Sequence, residues 1–296
     1  MTIIDPDAVL GRTRGLDLRG IAFDAVRDHP LPGEAVRVLG YMQDVESHTI
    51  VYLRELASTT AIDEPGIGTF LACWLFEETF HGRAIRRFLD AAGHPVAERA
   101  RSRAPLRKRV ESTLTAALSR HWPDFVAVHM TWGAIQELTT LTGYQRLASI
   151  TGHPVLSELL ARIVRDEARH FGFYYEQARR RLGRPGVARV TRWLVEHFWA
   201  PVGSGVEPAE DTRFLADYLF GDADGRAAAT KVDRTIQALP GLAGLPLLEH
   251  WIAAAAQPTR SSAYVFLPAR STTVVSPARS AAVSSTSALS TRRLFT

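Results

Sequence analysis

The chain has a single cysteine, Cys73, in 296 residues. It can form no intramolecular disulfide, and no cysteine-based zinc motif can be written. Set in an apolar helical run, Cys73 reads as a buried structural thiol. Lysine is nearly as scarce: Lys108 and Lys231 are the only lysines among 35 basic residues. Arginine pairs well with phosphates and carboxylates, so a net charge of +4 is compatible with an acidic partner as well as with plain solvated faces. No recognised binding motif accompanies the arginines, and nucleic acid is not expected as a partner. No uncharged apolar run is long enough to span a bilayer, and "MTIIDPDAVLGRTRG" lacks the basic-then-apolar order of a secretory signal. These absences predict a cytoplasmic protein without a transmembrane segment. Strand-period alternation is missing too, which argues against a sheet.

What is present is helical periodicity. Hydrophobic residues make up 46% and charged residues 22%, enough apolar content for a sizeable core. Residues 1–32 are mixed, with Pro6, Pro30 and Pro32 as breakers. Four long helices are predicted at 33–58, 66–92, 123–148 and 154–182. The segment 97–121, "AERARSRAPLRKRVESTLTAALSRH", is long, basic and partly helical, as a bundle with one crossover connection requires. Shorter helical patterns follow at 187–199, 208–220, 223–238 and 244–256. From 258 the Ser/Thr/Ala-rich sequence has no packing face and reads as a disordered tail. The expected organisation is an N-terminal extension (1–32), an all-α four-helix bundle with one long crossover and further C-terminal helices (33–257), and the tail (258–296).

The chemistry lies on faces that ought to be core. In "RDEARHFGFYYEQ", Glu167 shares a helix face with Leu160, Ile163, His170, Phe171 and Tyr174. In "WLFEETFHGRAI", Glu78 and His81 repeat the three-residue spacing, beside Leu71, Trp74 and Ile85. Glu137 lies with Met130, Gly133, Ala134, Thr140, Leu141 and Tyr144. Glu46 lies with Leu39, Met42, Ile50 and Leu53, and is preferred to Asp44, whose face holds Gly40, Ser47 and His48. An isolated buried carboxylate costs many kcal/mol, so such groups are paired, protonated or bound to a cation. No lysine or arginine stands at the positions named on these four faces. Two Fe(II) ions would balance four glutamates. Two Glu plus two Glu-x-x-His segments on four helices is the general di-iron arrangement of ferritin-like bundles. Asp166 precedes Glu167 and is expected to orient a histidine ligand, whereas Glu77, before Glu78, reads as an ordinary solvated acid.

The order Glu46, then "EETFHG" (77–82), then Glu137, then "DEARH" (166–170) resembles the soluble acyl-acyl-carrier-protein desaturase family over roughly 33–185. The resemblance implies Glu46, Glu78, His81, Glu137, Glu167 and His170 as iron ligands. It matches Thr140 to a threonine beside the oxygen-binding face and Asp166 to an aspartate that supports a histidine. It further implies O2-dependent desaturation of a fatty acyl chain carried on acyl carrier protein, a ferredoxin-like electron donor, an apolar channel and a homodimer. Basic stretches, 99–109 or Arg83, Arg86 and Arg87, are candidates for docking the acidic carrier. Thr79-Phe80 stands where the family usually has Asn-Arg, and Phe171 where an acid often follows the second histidine. A hydroxylase or N-oxygenase on the same scaffold therefore stays open. So do an iron-storage protein and a ribonucleotide reductase small subunit.

Overall fold

The computed structural model describes residues 5–57, 59–96, 121–122, 124–204 and 208–256. The expected crossover, apart from its last residue, and the expected tail lie outside these residues. No β-strand occurs among the described residues, which form an all-α, ferritin-like bundle. Its helices are α1 (Pro6–Leu10), α2 (Gly33–Ser47), α3 (Thr49–Ala57), α4 (Pro65–Ala91), α5 (Phe125–Thr151), α6 (Pro154–Arg181), α7 (Pro185–Phe198), α8 (Ala209–Phe220), α9 (Ala223–Gln237) and α10 (Leu247–Ala255). The longest lateral packing is between α5 and α6; α2 packs on α4, and α4 meets α6. Helices α7, α8 and α9 pack against the outer side of α5, and α1 lies on α4.

The reasons are local. On α6 the buried set Leu156, Leu159, Leu160, Ile163, Glu167, His170, Tyr174, Gln177 and Ala178 follows a three-four spacing along one face. Each fully buried leucine or isoleucine there contributes about 1.5–3 kcal/mol, and together they set which way Glu167 points. Helix α5 is apolar or small on nearly every side and is accordingly the central, most enclosed helix. The connection from α5 to α6 is only Gly152 and His153, so the two helices must run antiparallel. His153 caps α6, accepting from the Leu156 amide at 3.2 Å through Nδ1, while Nε2 lies 3.2 Å from the Val26 carbonyl oxygen. That bond ties the N-terminal segment to the bundle.

One predicted helix is two. The pattern read as continuous over 33–58 breaks at His48, whose backbone is not helical (φ −100°, ψ 4°). The His48 ring lies with Nδ1 2.7 Å from the Asp44 carbonyl oxygen, which also accepts from the His48 amide at 3.1 Å, so ring and backbone share one acceptor at the helix end. Three β-branched residues follow, Thr49, Ile50 and Val51, which are poor helix formers. The break turns Ile50 outward, to 36% exposure, instead of onto the face of Glu46.

Candidate metal centre

Four helices each deliver an acid to one buried space. Glu46 comes from the last turn of α2, Glu78 and His81 from the middle of α4, Glu137 from α5, and Glu167 and His170 from α6; all six side chains are buried. They form two overlapping groups. Donor atoms of Glu46, Glu78, His81 and Glu167 lie within 4.8 Å of one another, and so do those of Glu78, Glu137, Glu167 and His170. Glu78 and Glu167 belong to both. A pair of cations set in the two groups would share these carboxylates.

Close helix approach makes this possible. A Cβ at Gly82 would lie 3.0 Å from Ser47 Oγ and 3.2 Å from Glu46 Cβ. Glycine therefore lets α4 reach the end of α2 just after His81. On the other side a Cβ at Gly133 would overlap the Tyr174 ring. That ring is one turn beyond His170, and Phe70 and Trp74 stand edge-on to it at 5.1 and 6.1 Å. Phe70 also packs edge-on to His170 at 6.2 Å. The centre thus has an aromatic wall on the Glu137 and His170 side.

Both imidazoles are held from behind by the acid of the opposite motif. His81 Nε2 is 3.3 Å from Asp166 Oδ2, and His170 Nε2 is 2.7 Å from Glu77 Oε2. A carboxylate can only accept, so each Nε2 carries the proton. In the neutral ring, Nδ1 then faces the centre as a lone pair, as a metal-binding histidine requires. Arg169 bridges the two outer acids: its guanidinium bonds Asp166 and lies 3.3 Å from Glu77 Oε1. The Arg14 amide adds a long contact to Glu77 at 3.4 Å.

Glu77 is a correction to the sequence reading. It is 3% exposed, not a solvated acid. Its equivalence to Asp166 was the available signal, since each immediately precedes a shared glutamate. Of the other expected residues, Asp166 stands behind His81. Thr140 lies half-buried on α5, one turn after Glu137. Among the described residues Thr131, Thr139, Thr142 and Thr151 donate to the carbonyl one turn back, and no such bond is found for Thr140.

The buried charges need compensation, by protons or by a cation. Burial raises Glu46 and, more strongly, Glu78, where the charges of Glu46 and Glu167 add to it. Burial also pushes Glu137 up to about 8, against the pull of the His170 imidazole. Glu167 differs: burial opposes its ionisation, but the His170 and His81 imidazoles hold it below the usual carboxylate range. Burial would lower His81, yet the Asp166 and Glu167 carboxylates raise it to about 9. Protons thus supply the positive charge when no ion is bound.

Donor atoms left without partners fit metal ions as well. Glu46 Oε2, Glu78 Oε1, His81 Nδ1, Glu167 Oε1 and His170 Nδ1 are buried and make no hydrogen bond. His81 Nδ1 does come within 3.2 Å of Glu167 Oε1, and His170 Nδ1 within 3.1 Å of Glu78 Oε1. Those approaches lack hydrogen-bond geometry, and with Nε2 protonated they set a lone pair against a carboxylate. Such an arrangement is stable only with a proton or a cation between the atoms. Mixed imidazole and carboxylate donors suit iron or manganese.

Residues 47–186 match the family model for fatty acid desaturases. The matched stretch is a little under half of the chain and takes in Glu78, His81, Glu137, Glu167 and His170. Glu46 lies just outside it, so its place rests on geometry alone. Searches of curated proteins and of solved structures each returned no match. No described helix is long and apolar enough to cross a membrane. Two surface pockets, of about 290 and 370 Å³, are lined around Arg184–Val190 and around Leu182–Arg192 with Pro240 and Gly241. Neither includes a residue of the centre, so neither is the apolar channel expected from the sequence.

Proposed function

We propose that the protein is a di-iron desaturase that uses O2 to introduce a double bond into a fatty acyl chain carried on acyl carrier protein. The observation that carries this reading is the pair of overlapping buried Glu/His groups sharing Glu78 and Glu167. The desaturase match, which takes in all of these residues except Glu46, supports it. Glu46, Glu78, His81 and Glu167 would hold one iron; Glu78, Glu137, Glu167 and His170 would hold the other. Two such ions, when bound, supply O2 activation and removal of hydrogen from an unactivated C–H bond.

The chain's own residues do the rest. Asp166 and Glu77 keep the protons on the outer nitrogens, so the inner ones stay available to metal. Arg169 bridges the two acids and offsets part of their charge. Phe70, Trp74 and Tyr174 exclude water from one side, which protects a reactive centre from wasteful side reactions. Thr140, its hydroxyl not committed to the helix, is available to hydrogen-bond a group beside Glu137. Arg83 and Arg87 are exposed on α4, and Arg86 partly so, a basic surface suited to an acidic carrier. Electrons would come from a ferredoxin-like donor, and homodimeric assembly completes the reading.

The test is a panel of carrier-linked acyl chains, incubated with iron-loaded protein, a reducing system and air. Because the metal centre sets the chemistry, product mass reports the reaction: a loss of about 2 mass units means desaturation and a gain of about 16 means oxygenation. Unchanged substrates throughout the panel would refute the proposed activity.

A further inference from the structure

The two metal positions have different outer glutamates. Tyr144, seven residues after Glu137 on α5, is fully buried, and its hydroxyl donates to Glu46 Oε1. Glu46 Oε2 is buried without a hydrogen bond. One oxygen of Glu46 is therefore committed to a phenol and the other is free. At the opposite end, no described residue donates a hydrogen bond to Glu137; His170 Nδ1 lies 3.5 Å from Oε2, without partner geometry. Both Glu137 oxygens can turn to a cation. Glu46 also sits in the last turn of α2, where helix carbonyls concentrate negative charge and a further anion is disfavoured. A donor on Oε1 offsets part of that repulsion. The Tyr144 bond thus restrains the carboxylate's rotation.

We infer that Tyr144 is a positioning residue that restricts Glu46 to binding metal through Oε2 alone, which makes the two metal positions unequal in coordination number and affinity. This rests on the two-metal reading above. Each position is offered one atom by each of its four residues; the position next to His170 would gain a fifth from the second oxygen of Glu137, whereas Glu46 Oε1 is already held by Tyr144. The first position is the weaker and keeps more room for an exogenous ligand.

Divalent cobalt, titrated anaerobically into the full-length chain, tests this. Its ligand-field absorption weakens as coordination number rises. In Tyr144→Phe, Oε1 becomes available to metal, and the metal-free state loses a donor to a buried carboxylate; both effects favour binding. The weaker position should tighten by about 10–150-fold, as expected for one lost hydrogen bond to a charged group. Its absorption should fall towards that of the other position. Unchanged spectrum and affinity, or weaker binding, would overturn the inference. A wild-type measurement stands beside it should the variant not fold. Magnetic circular dichroism of the cobalt-loaded wild type should show two distinct coordination environments, and one set of bands from two equivalent ions would overturn the inference. Wild-type protein that binds no cobalt and no ferrous iron would instead sink the metal reading itself.

Discussion

Glu167 is the most informative single position to change. It belongs to both candidate metal groups, whereas Glu137 belongs to one. Glu167→Gln keeps the side-chain volume but removes the shared charge, so each ion loses an anionic ligand. Glu137→Gln weakens only the position beside His170. Binding to the native state alone stabilises it by about 2.7 kcal/mol per ion at a hundredfold excess over Kd, or about 5 kcal/mol for two. For a domain of this size, about 2–4 °C per kcal/mol converts that to a metal-dependent rise in Tm of roughly 10–20 °C. Wild type should show the full rise, Glu137→Gln about half of it, and Glu167→Gln almost none. The assay is anaerobic loading with ferrous salt, gel filtration and metal analysis, with thermal melts in parallel. Circular dichroism checks that each variant is helical before loading. If folded Glu167→Gln retained two ions at wild-type affinity, the shared-carboxylate geometry would be refuted.

Metal binding should release protons, because Glu137 titrates near 8 and His81 near 9 in the metal-free protein and both must be deprotonated to bind. Ferrous affinity should therefore climb between pH 6 and about 9, measured by titration in matched buffers. Stability of the metal-free protein should move the other way. Both groups hold protons in the folded state at pH values where the unfolded chain has released them, so stability falls as pH rises through these ranges; thermal melts with and without metal check the opposition. Glu77→Gln should weaken the position beside His170 by about 10–100-fold, as loss of a histidine's supporting acid usually does, and Asp166→Asn should act likewise at His81. Equal effects on both positions, by competition titration, would contradict the cross-pairing. Gly133→Ala forces Tyr174 off its site and should cost about 1–3 kcal/mol, read from denaturant melts at constant m-value.

The local pattern of α4 and α6 carries much of this centre. Three-residue spacing puts Glu78 with His81, and Glu167 with His170, on one side of each helix, and the surrounding leucines and isoleucines decide that this side faces inward. That much follows from 3.6 residues per turn and the cost of exposing apolar surface, and it could be read from the chain alone. What period cannot encode is which residues of different helices come level with one another. The pairing of Glu77 with His170, and of Tyr144 with Glu46, joins residues far apart in sequence. It depends on how each helix slides and rotates against its neighbour, and that is set by contacts such as Gly82 against Ser47 and Gly133 beneath Tyr174. The break at His48 was equally hidden, because a ring bonding the Asp44 carbonyl and three β-branched residues together outweigh an apolar pattern that runs on unbroken. Sequence chose the donors; only the packed bundle decided which acid stands behind which imidazole, and which oxygen of Glu46 remains free.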